Sequence, residues 1–468
     1  MFLKTVYVIF QFDTEDFVTP ETDDVLLDLT QILDKFGVRA SFCIVGEKAR
    51  ELERRGRLDV ISALRKHDIA YQSDLHSVHP IISEYLADED WDEGVKKVIK
   101  HESSGLEDIT RIFSVKPSAF IQPGGSWAPQ VSYAMMTLDV PVYADGIFEG
   151  EPVWFCNNLC LRAPFSFPEH SKIDDLASIK ERFDKLYNSK REGAGLIVIF
   201  SHPCMFITET FWDTANFTGG MNTPKERYVT PVLRTGEAYT ESLRVFEEFL
   251  RYILGYQNVS VVTFREVRSL YREPKERMLS LDQVLSLARD AASVNDWQIV
   301  DGKSISPAEL LRVLVECIVN YLCKGVEPGF IYVRPTLGPT SKPCILPTGK
   351  RVKIADPLKL SRQAIEFVEE YGRIPPAITI EDVTFGPSDL LEATAKAVVY
   401  YSGFRQLPSR VEIGDVSDLP VVVQRWNLSE RIKSQWGWAI LPQGFTSSKI
   451  EELTMWQAWT VRPAILHT

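Results

Sequence analysis

The sequence is short of the features that mark exported, membrane-bound or nucleic-acid-binding chains. It has only seven cysteines, at 43, 156, 160, 204, 317, 323 and 344. An odd, scattered set argues against a disulfide framework. Cys156 and Cys160 are four apart with no second pair beside them, and read as buried thiols. No run approaches the roughly 18 apolar residues that span a bilayer, so no membrane partner is expected. Basic charge is in deficit: 52 Lys and Arg face 64 Asp and Glu, net −12, with a pI near 5.3. That balance argues against binding nucleic acid through its phosphates. The one basic cluster, Arg54, Arg55 and Arg57, reads as a solvated helix end. The opening M-F-L-K-T-V-Y-V-I-F-Q-F-D has a short apolar run and no small-residue cleavage site after it. It reads as a buried first strand, from which a cytoplasmic location is expected. The sequons at Asn216, Asn258 and Asn427 then carry no meaning.

What the chain does have is a globular composition, 45% hydrophobic and 25% charged. Its 468 residues suggest two or three domains. Three of its seven histidines fall in H-D-I-A-Y-Q-S-D-L-H-S-V-H-P, residues 67–80. On a helical turn, Gln72 and His76, or His76 and His79, would point the same way and could share a ligand. The plain alternative is a polar loop whose histidines only hydrogen-bond.

The first 270 residues alternate strand and helix about seven times. Strands are expected at 6–12, 40–45, 69–71, 119–121, 140–144, 196–200 and 259–264. Helices are expected between them, the longest over 91–113. This is the pattern of a parallel sheet closed or nearly closed into a barrel. Such barrels carry their sites on the loops after the strands. Asp13, Glu15, Gln72, His76, Gln122, Asp145 and His202 all occupy such positions, whereas polar residues scattered by chance would fall at both strand ends.

These residues carry a resemblance. K-F-G-V-R-A-S-F-C-I-V-G-E-K-A at 35–49 is similar to the A-T-F-F-V-V-G strand and helix of the polysaccharide deacetylase family (the NodB-homology fold of carbohydrate esterase family 4). Q-F-D-T-E-D at 11–16 resembles that family's first motif, H-D-I-A-Y-Q-S-D-L-H its metal-ligand motif, and F-S-H-P at 200–203 its last. The resemblance implies an α/β fold, a distorted (β/α)7-type barrel over residues 1–272. It also implies a hydrolase of non-peptide carbon–nitrogen bonds: a de-N-acetylase for an acetamido sugar or related small amide, acting through metal-activated water. Asp13 would be the base and His202 the acid that protonates the leaving nitrogen. Glu15, or Asp16, would be the metal carboxylate and His76 a ligand to zinc or a similar divalent ion.

Two positions depart from the pattern. Gln72 stands where the first metal histidine belongs, and a neutral amide oxygen is a far weaker zinc ligand than imidazole. The site could recruit His79, take a more oxygen-loving ion, or hold no metal. Gln122, in F-I-Q-P-G-G-S-W, stands where the family has an Arg that pairs with the catalytic Asp. The alternative reading is therefore a catalytically impaired relative that binds a carbohydrate or a protein partner. Trp127, Asp145 and Trp212 complete the candidate substrate contacts. Trp212 and Phe217 belong to a long segment after His202 that either lids the site or is pinned to the barrel.

Beyond R-E-P-K-E-R-M the chain repeats itself. Residues 306–321 align with 386–401 at an offset of 80, with upstream helices keeping that offset, so a mainly helical two-repeat domain is expected over 279–425. I-E-F-V-E-E-Y-G-R-I-P-P-A-I-T-I weakly resembles pseudomurein-binding repeats, and the alternative is helices that pack on the barrel or on another subunit, with a homo-oligomer left open. Residues 426–468 hold five of the ten tryptophans. Trp456 and Trp459, three apart on an expected helix from Ser448, read as buried against a domain.

Overall fold

The first strand, β1 (Val6–Thr14), shows how the barrel is organised. Val8, Phe10 and Phe12 point to one face and pack with the surrounding helices, Phe10 lying edge-on to Phe246 of the helix Gly236–Leu254. Ile9 points to the other face and packs with Cys43, Ala70, Ile121, Ala144 and Val198 from the neighbouring strands. Burial of both faces is what a parallel sheet layered by helices requires. Because strand side chains alternate with period two, Gln11 and Asp13 follow Ile9 on the inner face.

The computed structural model describes residues 4–144, 146–193, 195–273, 276–344 and 353–467. The strands after β1 are β2 (Ser41–Ile44), β3 (Asp68–Tyr71), β4 (Phe120–Ile121), β5 (Val142–Ala144), β6 (Val153–Phe155), β7 (Asn158–Leu161), β8 (Phe165–Ser166), β9 (Gly195–Ser201) and β10 (Val259–Val261). With a terminal strand, Arg462–Pro463, they form one eleven-stranded sheet. Its order from that terminal strand is β6, β7, β5, β4, β3, β2, β1, β9, β8, with β10 paired to the start of β1. The run from β8 to β7 is parallel throughout. The fold is α/β, a curled barrel with one antiparallel margin, and every strand expected from the sequence is present.

That margin was not anticipated. β6 and β7 form a hairpin whose two-residue turn is Cys156–Asn157, with φ +49° and +64°. Such a turn needs φ > 0 at both central residues, a conformation Asn tolerates and Cys seldom adopts. Both thiols of the Cys156/Cys160 pair are buried and free.

Downstream, two units of like build follow each other. Each runs strand, helix, hairpin, helix, strand. In the first, the helices Leu281–Ala291 and Pro307–Asn320 flank the hairpin Gln298–Val300/Lys303–Ile305, and Arg277–Leu279 pairs with Ile331–Val333. In the second, Pro357–Tyr371 and Pro387–Phe404 flank Ile378–Ile380/Val383–Phe385, and Lys353–Ala355 pairs with Val411–Ile413. The later helices start 80 residues apart, as the alignment has it. The earlier ones end 80 apart, at Ala291 and Tyr371, but start 76 apart, at Leu281 and Pro357, because the second unit's helix is four residues longer at its N-terminal end.

Polar detail repeats as well. Arg277 donates to the Ser304 carbonyl and pairs with Glu309, while Lys353 donates to the Thr384 carbonyl and pairs with Asp389. The helical pair Arg312–Glu316 has Glu392–Lys396 as its charge-reversed counterpart.

The tryptophan-rich segment joins the two cores. Trp456, on the helix Ser448–Gln457, packs with the barrel core, and Trp459 with the core of the repeats. No helix among the described residues is long and apolar enough to cross a membrane.

Candidate active site

Asp13 sits one residue before the end of β1, Gln72 directly after β3, Gln122 directly after β4 and His202 directly after β9. The period-two register that aims Ile9, Ala70 and Val198 inward carries Asp13, Gln72 and His202 to the same side at the strands' C-terminal ends. All four line one cavity of about 410 Å³, together with Glu15, His76, Phe211, Asp213 and Trp438.

His202 is the best-supported side chain in this cavity. Its Nδ1–H donates to Glu169 Oε1 at 3.2 Å, and its backbone N–H donates to the same oxygen at 2.6 Å. Its Nε2 lies 3.8 Å from Asp13 Oδ2. That gap is too long for a direct hydrogen bond and suits a bridging water or reacting atom. Burial would lower the pKa of His202, but the Glu169 hydrogen bond and charge, with Glu15 and Asp13, outweigh it and raise it to about 10. Asp13 receives a hydrogen bond on its other oxygen, Oδ1, from Gln11 Nε2 at 2.9 Å.

A second imidazole is held between acidic groups. His76 Nε2 is 2.8 Å from Glu15 Oε2, and its Nδ1 is 2.7 Å from Ser77 Oγ. Ser77 donates its own proton to Asp213 Oδ2 at 2.7 Å, so its oxygen accepts from His76 Nδ1. With Ser77 accepting at Nδ1 and the Glu15 carboxylate facing Nε2, the site favours the imidazolium form of His76. Its pKa is raised accordingly: burial opposes, while the charge and contact of Glu15 prevail. Burial likewise pushes Glu15 up, and the His76 charge and contact overcome this to hold it below its usual value. His76 has a left-handed backbone, φ +51°, and Ser73 Oγ accepts its N–H.

Of the two first-loop acids, Glu15 is the one in the cavity. Asp16 turns away and accepts the N–H groups of Val18 and Thr19, beside the buried Lys48. His79 also lies outside it, between Glu84 Oε2 (2.5 Å) and the Phe217 carbonyl (3.1 Å). Trp127 is fully buried below the loop, with Nε1 donating to Thr454 Oγ1. Trp212 is fully buried behind His76 and against Phe17. Gln122 lines the cavity, but its amide is engaged: it accepts from Tyr143 and donates to Gly124 O and Gln435 Oε1. Asp145 lies outside the described residues.

A zinc-type centre finds no ligand set here. No group of three His, Cys, Asp or Glu among the described residues could hold a metal ion. The cavity is lined by three carboxylates, two imidazoles and the Gln72 amide, but Glu15 is paired to His76, Asp213 accepts from Ser77 and His202 is bound to Glu169, so no three of them converge on one point. The Gln72 Oε1 is buried and has no hydrogen-bond partner. A lone amide oxygen is a poor zinc donor but a good acceptor for a ligand's N–H.

Ser77, Glu169, Asp213 and Trp438 were not singled out by the sequence. Asp213 does fall in the F-W-D-T-A-N-F stretch and Trp438 in the tryptophan-rich terminus, both conspicuous in composition. For Glu169 there was no signal beyond a carboxylate next to His170.

No family model matches the chain, and no curated protein matches it. Solved structures do. A protein assigned as a polysaccharide deacetylase from Mycobacterium smegmatis is 16% identical over 57% of this chain and 90% of its own, with a TM-score of 0.39. The Puue allantoinase is 12% identical over 57% of this chain and 92% of its own, TM-score 0.40. A family 4 carbohydrate esterase from Streptomyces lividans, solved with acetate, is 13% identical over 55% and 91%, TM-score 0.30. The likeness is one of fold. At these values it says nothing about substrate or mechanism, which rest on the cavity itself.

Proposed function

We propose that this chain hydrolyses a carbon–nitrogen bond in an acetamido sugar or related small amide. The observation that carries this reading is the meeting of Asp13 and His202 in one cavity, 3.8 Å apart, with Glu169 behind the imidazole. Asp13 takes a proton from water, the water oxygen adds to the carbonyl carbon, and the C–N bond breaks as His202 passes its proton to the departing nitrogen. The products are a carboxylic acid and an amine, and the two protons moved balance the water consumed. A proton held as firmly as that of His202 goes only to a strongly basic atom. The nitrogen of a collapsing tetrahedral intermediate is such an atom. No step is assigned to a metal, because the donor set does not fit one. Elemental analysis of protein purified without chelator tests this, with less than about 0.1 zinc per chain expected for a site in which no three strong donors converge.

The pH profile supplies a sharper test. His202 keeps its proton through neutrality, so the acid form persists until the pH nears 10. The basic limb of kcat/KM is expected near that value, and Glu169→Gln should move it down by more than one pH unit and lower kcat. A limb near 7 in the unaltered enzyme would contradict the assignment. The sign for stability follows from the same shift. The folded pKa is above the usual 6.5, so this contribution is complete below about 6.5 and fades as the pH rises through about 10.

One observation favours a second reading, a non-catalytic binder: Glu15 and His76 neutralise each other instead of presenting free donors. Under that reading, N-acetylated sugars bind without acetate release, and Gln72→His does not create turnover unless it also brings in metal.

A further inference from the structure

Two parts of the chain that are not barrel loops of the usual length close over this cavity. One is the segment after His202. Phe211 stands edge-on to the His202 ring, 4.9 Å between centroids. The other is the stretch 435–441 of the tryptophan-rich terminus. Trp438 packs edge-on to His76 at 5.7 Å, and Ala439 and Ile440 add to the lining. The two parts are tied together, since the N–H groups of Gly219 and Gly220 donate to the carbonyls of Ala439 (2.8 Å) and Ile440 (3.0 Å). Both are also pressed onto the barrel. A Cβ on Gly124, whose φ is +45°, would lie 2.2 Å from Trp438 Cε2, and one on Gly125 would lie 1.9 Å from the Gln435 carbonyl oxygen. Gln122 donates to Gln435 from beneath.

The walls of this enclosure are chemically distinct. The charged side chains that line it are Asp13, Glu15, Asp213, His76 and His202, with no Lys or Arg among the described lining residues. A phosphate or carboxylate on the ligand would therefore face three carboxylates, and the two imidazoles beside them are already partnered by Glu15 and Glu169. The apolar surface comes from the rings of Trp438, Phe211 and Phe200 with Ala439 and Ile440, and the buried Gln72 Oε1 awaits a donor. The cavity, about 410 Å³, is at the small end of the roughly 300–1,000 Å³ typical of small-molecule sites.

We propose that residues 435–441 are the specificity element of this site. They confine it to a single uncharged acetamido-sugar unit, stacked on Trp438 with its amide N–H on Gln72, and exclude sugar phosphates and the interior of polysaccharides. The proposal rests on the hydrolase reading for the orientation of the amide, but its selectivity can be measured without turnover.

The test is calorimetric titration of the full-length Asp13→Asn variant with N-acetylglucosamine, N-acetylglucosamine 6-phosphate and the N-acetylated hexasaccharide chitohexaose. The monosaccharide is expected to bind at least about tenfold tighter than either of the others. Adding Trp438→Ala should weaken it about tenfold or more. Should that variant not fold, Phe211→Ala and Trp438→Phe give the same comparison. Equal or tighter binding of the hexasaccharide or the phosphate overturns the proposal. So does failure of the monosaccharide to bind, or indifference to the Trp438 and Phe211 substitutions. Selective binding with no acetate released by the unaltered protein would instead leave this selectivity standing and remove the hydrolase reading.

Discussion

Asp13→Asn is expected to lower kcat on a small N-acetylated substrate by about 10²–10⁴, the contribution typical of a positioned base, with substrate affinity changed little. The amide that replaces the carboxylate is close to isosteric and can still meet Gln11, whose Nε2 now contacts Oδ1 at 2.9 Å. It cannot take a proton from water. Steady-state kinetics set beside the binding titration separate the two effects. A parallel loss of binding and turnover would make Asp13 a ligand contact, not the base. Circular dichroism and Tm should be close to those of the unaltered protein, because the amide fills nearly the same volume and keeps the Gln11 contact.

The second large effect concerns the joint between the barrel and the repeats. Glu309 is fully buried and receives Arg277 on one side and Arg462 on the other, the latter through Nε at 3.1 Å. Arg462 also pairs with Glu273 and belongs to the terminal strand that extends the barrel sheet at β6. Burial alone would raise the pKa of Glu309, and the two guanidiniums reverse this and hold it low. Glu309→Ala leaves two buried cations with one remaining carboxylate between them. The cost expected for breaking such a pair is about 3–5 kcal/mol. Urea unfolding followed by tryptophan fluorescence measures it. Replacing the equivalent acid of the second repeat, Asp389→Ala, should cost less, because the cation it leaves, Lys353, keeps the Thr384 carbonyl. Similar costs at both positions would show that the added Arg462 contact contributes nothing.

Much of this was legible in the residues themselves. Period-two alternation in Val6–Thr14 buries both faces, which marks a parallel strand and places Asp13 on the side of Ile9. The same parity in Ile69–Gln72 and Leu196–His202 aims Gln72 and His202 inward, so three candidate residues could be brought together before any coordinates. What lay beyond reach depends on contacts between distant segments. Glu169 reaches His202 across 33 residues, Asp213 reaches Ser77 across 136, and Gln435 reaches Gln122 across 313. No local period encodes such meetings. His79 shows the opposite failure, in which spacing suggested a shared ligand. The helical turn that would have aligned it with His76 does not form, and Glu84, capping the short helix Ile82–Tyr85 through the Ile81 N–H, takes the ring instead. The hairpin at Cys156–Asn157 was hidden because its first turn residue is a cysteine, which gives no turn signal.

The account stands most directly on whether the cavity hydrolyses an amide with its own side chains. Protein dialysed exhaustively against chelator should be assayed for acetate release from N-acetylglucosamine, with and without added zinc. The account predicts release at a rate unchanged by chelation or by zinc, and abolished in Asp13→Asn. Activity that disappears on chelation and returns with zinc, or no release under any condition, would contradict it.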